Sequence, residues 1–405
     1  MFDVKKIRED FPMFKNNPGL IYFDNGATAL KPQCVIDAVV DYYERYSVNV
    51  HRGDYDLSYK ADSMYDSVRD TVASFIHCSP KEVVFTAGAS FSLNQIAYGL
   101  RKSVGEGDVI LTTEIEHASS ILPFFRICEE TGAKIEYVPL DKEGQCTSES
   151  FRSAMHDKVK IVVMAQVSNV LGVVQPVKEC IQIAHEFGAI CVVDGAQSIP
   201  HLPVDVKDMD CDFLAFSAHK CCGPTGVGVL YGKYELLDKM EPMFLGGTSN
   251  ARFDRCGNII LQDTPNKFET GTQHIAGVIG MKAALEYLQS IGMSDIEAYE
   301  AELKRYLFDK LSELDNVELY NEHAPTGIVP FNFKGIFAQD AAGYLNSKGI
   351  AVRTGNHCAK IVKDVIGTNE TIRASLYFYN TKEEIDRFVE VCKEVTLDKC
   401  VGIFF

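Results

Sequence analysis

The chain has 405 residues, enough for two domains that each bury a core, and 46% of its residues are hydrophobic against 24% charged. Its formal net charge of -16 leaves no basic face for nucleic acid or an anionic membrane, so we expect no partner of either kind. No stretch is long enough to span a bilayer, and no apolar segment with a cleavage site follows the N-terminus. We therefore expect a cytoplasmic protein that acts on a small molecule.

The thirteen cysteines have neither the spacing of a disulfide framework nor that of a structural zinc site. A chain of this length does not need cross-links to fold, so we expect reduced thiols and no bound metal. Cys191 lies inside an apolar run, and Cys221 and Cys222 are adjacent. We interpret these three as packing residues.

Short apolar runs alternate with longer helical segments over residues 82–217, which predicts an α/β fold with a doubly wound, mostly parallel sheet. A polar, glycine-rich excursion over 241–268 follows a strand at Val227, and long helices and a smaller α+β region come after it. The predicted strands of the sheet are 82–86, 108–112, 134–138, 160–166, 190–194 and 213–216. We expect an N-terminal segment (1–15) that packs with the small domain, a large domain (16–270) and a small domain (271–405).

Lys220 lies on a glycine-rich connection between two apolar strands, in the stretch Ser-Ala-His-Lys-Cys-Cys-Gly-Pro-Thr-Gly-Val-Gly. An ammonium group prefers solvent, and burial lowers its pKa because the charged form is disfavoured. A neutral amine is the form that attacks a carbonyl, so Lys220 is a Schiff-base candidate. An ordinary loop lysine is the competing interpretation of this stretch alone.

Asp194 ends another apolar strand, in Val-Asp-Gly-Ala-Gln-Ser, and open α/β sheets bind ligands at such strand ends. An acid there can pair with the pyridinium nitrogen of pyridoxal phosphate (PLP) while a lysine holds the aldehyde. The turn Gly88-Ala89-Ser90 opens a helix, whose first N–H groups suit a phosphate together with the Ser90 hydroxyl.

Together these segments resemble the cofactor motifs of class V aminotransferase-like PLP enzymes. The resemblance implies PLP as cofactor and the type I fold of PLP-dependent transferases, with Lys220 and Asp194 in the two roles just given. It implies that His117, in Glu-Ile-Glu-His-Ala-Ser, stacks on the ring and assists catalysis. The other cofactor contacts that it implies are Gly88, Ala89, Ser90, Asn169, Gln197, Ser217, His219 and Thr272. Thr272 would come from the neighbouring subunit of a homodimer.

The C-terminal part of the chain carries two further motifs. Arg353-Thr-Gly-Asn-His-Cys358-Ala and Arg373-Ala-Ser are similar to those of the group II cysteine desulfurases, the SufS, CsdA and selenocysteine lyase branch, although Asn356 stands where a histidine is common. This resemblance implies that sulfur passes from L-cysteine to a persulfide on Cys358, leaving L-alanine. His357 and the arginines would favour the Cys358 thiolate. The substrate contacts that the resemblance implies are Arg373, Arg353, Asn169 and Asn25.

The same resemblance implies a destination for the sulfur, namely an acceptor protein, as in iron–sulfur cluster assembly. Several alternatives stay open on the sequence alone, namely selenocysteine lyase, cysteine sulfinate desulfinase and class V aminotransferase. A non-enzymatic alternative is a degenerate PLP fold kept as a scaffold. The intact set of Lys220, Asp194 and His117 argues against that alternative.

Overall fold

The computed structural model describes residues 3–247 and 251–402, so three residues of the predicted excursion and both chain ends lie outside the described residues. The first elements are α1 (Val4–Glu9), α2 (Pro12–Asn16), β1 (Ile21–Tyr22), α3 (Gln33–Asp41) and α4 (Asp56–Ile76). A π-helical turn extends α3 over Tyr42–Tyr46.

A seven-stranded sheet forms the centre of the large domain in the described part of the chain. Its strands are β2 (Val83–Thr86), β3 (Val109–Thr112), β4 (Lys134–Tyr137), β5 (Val159–Ala165), β6 (Ile190–Asp194), β7 (Phe213–Ser217) and β8 (Gly228–Gly232). Their order in space is β2-β8-β7-β6-β5-β3-β4. Strand β8 is antiparallel to both neighbours, and all pairs from β7 to β4 are parallel. The predicted mostly parallel sheet is confirmed, with one reversed strand.

Successive residues of these strands enter two different cores, as the two-residue period of a strand requires. Val83 and Phe85 belong to one core, and Val84 belongs to the other. The helices that follow in the chain are α5 (Ala89–Leu100), α6 (Ala118–Thr131), α7 (Ser148–Ala154), α8 (Val177–Glu186), α9 (Val206–Met209) and α10 (Tyr234–Lys239). Helices α5 and α6 cover the Val84 face, and α4 and α8 cover the other. Burial on both faces explains the near-continuous apolar runs.

The predicted irregular excursion contains a short antiparallel hairpin of β9 (Ala251–Phe253) and β10 (Ile259–Leu261). Phe253, Ile259 and Ile260 are exposed on it. Helix α11 (Ile275–Ile291) then packs on α3 and α4 and joins the large core. This packing favours a domain boundary near Gly292 over one at residue 270, and the domain limits stay a prediction.

Helix α12 (Met293–Ser312) leads into the small domain. The strands of this region are β11 (Val317–Leu319), β12 (Ile328–Phe333), β13 (Ile350–Ala351), β14 (Arg353–Gly355) and β15 (Thr371–Ser375). Its sheet has the order β11-β12-β15-β14, and all neighbouring strands in it are antiparallel. Its helices are α13 (Ala338–Ser347), α14 (Lys363–Ile366), α15 (Lys382–Lys393) and α16 (Leu397–Val401).

The N-terminal part of the chain is tied to this small domain. Strand β1 pairs in parallel with β13, and Ile21 and Phe23 are buried in the small-domain core. The residues directly after Phe23 therefore run between the two domains. Within residues 3–247 and 251–402, no helix is both long and apolar enough to cross a lipid bilayer.

Candidate active site

A cavity opens where the parallel strands β5, β6 and β7 end and the small domain faces them. The cavity has a volume of about 170 Å³ and is partly open to solvent. Ala165, Asp194 and Ser217, the last residues of the three strands, all line it. The other sequence-predicted site residues that line it are Ala89, Ser90, His117, Asn169, Gln197, His219, Lys220, Arg353 and Arg373.

Lys220 ends a single 3-10 turn that leaves β7 at the cavity floor. The turn is held in place because the Ala218 N–H donates to the Val227 carbonyl at 3.0 Å across the connection. Gly223 packs closely against the turn, where a Cβ would lie 2.9 Å from the Ala218 carbonyl oxygen. Desolvation lowers the pKa of Lys220 to about 8; Arg373 and Arg353 add to this effect and Asp194 opposes it. Lys220 is therefore an amine with a substantial neutral fraction near neutral pH.

Asp194 is held by two donors that fix the plane of its carboxylate. Its Oδ1 accepts from the Ala196 N–H at 2.9 Å, and its Oδ2 accepts from the buried Ser120 hydroxyl at 2.5 Å. Ser120 was not predicted from the sequence, because a serine within a helix carries no signal of which strand end it faces. These two hydrogen bonds fix the carboxylate at the cavity, where it can pair with a protonated ring nitrogen.

His117 caps the N-terminus of α6, and its Nδ1 accepts the Ser119 N–H at 3.1 Å. This bond leaves Nε2 as the protonated nitrogen of the neutral ring. Burial lowers the pKa of His117, with Lys220 and the two arginines acting in the same direction. A neutral imidazole at a cavity wall is suited to stack on an aromatic ring.

The predicted phosphate site lies at the N-terminus of α5. Gly88 precedes the helix with φ +141°, a conformation that favours glycine, and it does not itself line the cavity. The Ala89 N–H donates to Ser217 Oγ at 2.8 Å, and the Ser90 and Ser119 hydroxyls are 2.6 Å apart. His219 also lines the cavity, and burial lowers its pKa to about 4. Hydroxyls and a helix N-terminus together suit a phosphate.

Three residues that line the cavity have a buried polar atom without a hydrogen-bond partner among the described residues. The atoms are Oε1 of Gln197, whose Nε2 donates to the Gly26 carbonyl, Nε of Arg373 and Nδ1 of His357. Buried polar groups in folded proteins are nearly always paired, so unpaired ones indicate a missing ligand. With Lys220, Asp194 and His117, they make a cavity whose residues fit PLP and an amino acid.

Arg353 and Arg373 are directly opposite each other on the antiparallel strands β14 and β15. Like charges in such a pair are destabilising, which indicates that they serve an anionic ligand. Arg373 is buried, and its NH2 pairs with Asp24 at 3.1 Å while its NH1 donates to the Asn169 carbonyl at 2.7 Å. Burial lowers the pKa of Arg373, and Asp24 opposes that effect. Asp24 was not among the predicted site residues.

Cys358 is exposed on the loop after β14 and does not line the cavity, although its neighbour His357 does. The Arg353 NH2 lies 3.8 Å from Cys358 Sγ. His357 is turned away, with Nε2 at 2.9 Å from Thr371 Oγ1, and burial lowers the pKa of His357 to about 3. A neutral histidine adds no positive charge near the thiol, so Arg353 is the cation in contact and the role of His357 stays a prediction.

Two other predicted site residues lie away from the cavity. Asn25 is buried behind it, where its Nδ2 donates to the Ser375 carbonyl at 2.7 Å and to Asn380 Oδ1 at 3.0 Å. Thr272 is exposed and accepts a hydrogen bond from Asn49 Nδ2 at 3.2 Å. Asn25 therefore has a place in the link between the domains, and Thr272 faces outward from its own chain.

A different cluster in the described residues, His185, Cys191 and Asp212, has the spacing of metal ligands. Its carboxylate is already paired, because Lys233 Nζ lies 3.0 Å from Asp212 and 2.7 Å from Asp210. The lysine ammonium thus supplies the positive charge there.

The lowered pKa of Lys220 predicts how its amine reacts in protein freed of PLP. Only the neutral amine is acylated, so its reaction with trace acetic anhydride should rise with pH, pass its midpoint near 8 and level off by about pH 9. Peptide mass spectrometry measures this, with an N-acetyl-lysine amide standard that titrates near 10.4. Lys220 following the standard up to pH 10 would contradict the desolvated site.

The comparisons with known proteins agree with this geometry. The model of the family described as "Aminotransferase class-V" matches residues 21–388. A probable cysteine desulfurase of Halalkalibacterium halodurans is 44% identical over 387 residues, which cover 95% of each chain. A cysteine desulfurase of Haloferax volcanii is 42% identical over 409 residues, 96% of each chain.

Solved structures give the same result. The apo cysteine desulfurase of Thermococcus onnurineus NA1 superposes with a TM-score of 0.92 at 40% identity, over 96% of this chain and 97% of that one. The cysteine desulfurase CsdA of Escherichia coli superposes with a TM-score of 0.91 at 32% identity, over 100% of this chain and 99% of that one. This chain belongs to the aminotransferase class-V family.

Proposed function

We propose that this chain is a PLP-dependent cysteine desulfurase that converts L-cysteine to L-alanine and carries the sulfur as a persulfide on Cys358. One observation carries the proposal: the cavity with Lys220 and Asp194 is bounded by the same small-domain strand, β14, that leads to the Cys358 loop. Strand β14 thus connects a site for an amino acid with a thiol that can receive the sulfur of that amino acid. The names of the full-length relatives support the same activity.

Bound at Lys220, PLP supplies the electron sink that lets an amino acid lose its α-proton. Asp194 would pair with the ring nitrogen and keep it protonated, and His117 would stack on the ring. The Lys220 amine, with a pKa of about 8, is suited to take up and return that proton. Arg373 binds the carboxylate through its planar fork.

The Cys358 thiolate is the group to which we assign sulfur transfer. This thiolate attacks the sulfur of the substrate, so that an S–S bond forms while the bond between sulfur and the substrate β-carbon breaks. The electron pair stays with the carbon side, which takes up a proton and leaves as alanine. The Arg353 NH2, 3.8 Å from Sγ, places a positive charge beside the attacking sulfur.

Assignment to the SufS branch and delivery of the sulfur to an acceptor protein for iron–sulfur clusters are part of this proposal. The exposure of Cys358 supports them, because a thiol at the surface can meet a second protein. Selenocysteine lyase and sulfinate desulfinase would use the same cavity. An aminotransferase would not need the Cys358 thiol, so the effect of removing this thiol distinguishes an aminotransferase from a desulfurase.

Replacing Cys358 with alanine should lower the rates of alanine and sulfide formation from cysteine at least about a hundredfold, because the acceptor of the sulfur is lost. The change in PLP absorbance on adding cysteine should persist, since the cavity is intact. Exposed Cys256 provides the matched control, and its alanine variant should keep full activity. Undiminished alanine formation by the Cys358 variant would contradict the proposal.

Arg373→Lys should raise KM for cysteine and lower kcat/KM, because an ammonium cannot reproduce the planar fork. The loss in kcat/KM should correspond to about 1–3 kcal/mol of transition-state stabilisation. Arg353→Lys should act mainly on kcat, since Arg353 contacts the thiol. Steady-state kinetics of both variants distinguish the roles. If KM rises with Arg353→Lys and stays unchanged with Arg373→Lys, the two assignments must be exchanged.

We also propose a homodimer in which Thr272 of one subunit completes the phosphate site of the other. Two observations support it: Thr272 faces outward, and exposed apolar side chains cluster in the chain around α3, the start of α4 and the β9–β10 hairpin. These side chains are Val40, Tyr43, Tyr55, Leu57, Tyr59, Phe253, Ile259 and Ile260.

Thr272→Ala should therefore weaken PLP retention several-fold, because a phosphate contact is lost, while the dimer persists. Ultracentrifugation and PLP absorbance after dialysis measure the two properties, and Ser312→Ala is the control for loss of an exposed hydroxyl. A monomer that retains PLP and full activity would refute the shared site.

A further inference from the structure

The Cys358 loop is fastened to the large domain by two hydrogen bonds. The Ala118 N–H, next to ring-stacking His117, donates to the Cys358 carbonyl at 2.7 Å. The side-chain Nδ2 of Asn169 donates to the His357 carbonyl at 2.8 Å. Asn169 lines the cavity, and Ala118 lies between two lining residues, His117 and Ser119, so the position of the loop depends on segments of the cofactor site.

The two residues whose carbonyls are held have an unfavourable backbone. His357 has φ +49° and Cys358 has φ +62°, and neither is glycine. Two consecutive non-glycine residues in the left-handed region are uncommon and persist only where the surroundings hold them. When a tether is lost, the loop should therefore relax to another conformation.

Asn169 also touches the proposed carboxylate site. Its backbone carbonyl accepts from Arg373 NH1 at 2.7 Å, and both side chains line the cavity, where Arg373 Nε is without a partner among the described residues. A carboxylate bound at Arg373 would lie beside the Asn169 amide. Nδ2 of Asn169 carries two N–H groups, and a carboxylate that pulls one of them toward Arg373 turns the other away from the His357 carbonyl, because a charged acceptor forms the stronger hydrogen bond.

We propose that the Asn169 amide is a latch: it holds the Cys358 loop in its strained form, and a substrate carboxylate draws the amide away and releases the loop. Asn169 is then a positioning residue for the thiol, and cysteine itself triggers the mobility of Cys358. This inference rests on the proposed function, because it takes Arg373 as the carboxylate site.

Hydrogen exchange of the holoenzyme tests the latch, followed on the peptide that covers residues 356–362. L-Alanine is the probe, since it offers the carboxylate without sulfur, and the PLP absorbance reports its binding. In the unaltered protein, saturating alanine should speed exchange of this peptide about tenfold, as for the loss of one hydrogen bond. Asn169→Ala should exchange at that faster rate from the start and should not respond to alanine.

Ala118→Pro is the matched variant for the other tether. Ala118 is the first residue of α6, where proline is tolerated, and His117 before it is extended, as a residue preceding proline requires. This variant loses the donor to Cys358, so its loop should exchange faster without ligand while still responding to alanine. If Asn169→Ala does not fold, Asn169→Asp keeps the shape of the side chain, removes the donor and should behave in the same way.

Exchange that alanine leaves unchanged or slows, while the absorbance shows alanine bound, would overturn the latch and leave the proposed function standing. An Asn169 variant that exchanges and responds like the unaltered protein would also overturn it. A holoenzyme whose absorbance responds to neither alanine nor cysteine would overturn the proposed function, and the latch with it.

Discussion

The enclosure of one amine at the end of a parallel sheet is the constraint on which the site depends. Lys220 leaves β7 on a single fixed turn, and desolvation lowers the pKa of its amine to about 8. Asp194 at the end of the adjacent strand opposes this effect, and the two arginines of the small domain strengthen it. The amine is thereby available as a nucleophile and proton carrier, which an ordinary solvated lysine is not.

The small domain places a second kind of chemistry on the same cavity. Its antiparallel strands put Arg353 opposite Arg373, one beside an exposed thiol and the other buried against Asp24. The unfavourable pairing of these charges is understandable if an anionic substrate and a thiolate are their partners. The segment that follows β1 runs between the domains, so the position of Asp24 depends on both.

Much of this could be predicted from the sequence, because the strand ends are marked by local patterns. Asp194 follows a β-branched run and Lys220 lies between apolar strands, so each indicated both its element and its chemistry. The reversed direction of β8, the contact of Ser120 with Asp194 and the pairing of Asp24 with Arg373 depend on tertiary packing. Such contacts between residues far apart in the chain leave no local signal. The contact of His357 with Thr371 on β15 also leaves no local signal.

The destination of the substrate sulfur tests the central claim most directly. Holoenzyme mixed with one equivalent of cysteine labelled with heavy sulfur, quenched within one turnover and digested without reductant, should carry the label on the peptide that contains Cys358. One alanine should be released for each labelled sulfur. Label on a peptide containing Cys221 and Cys222, or alanine formed with no protein-bound sulfur, would contradict the account.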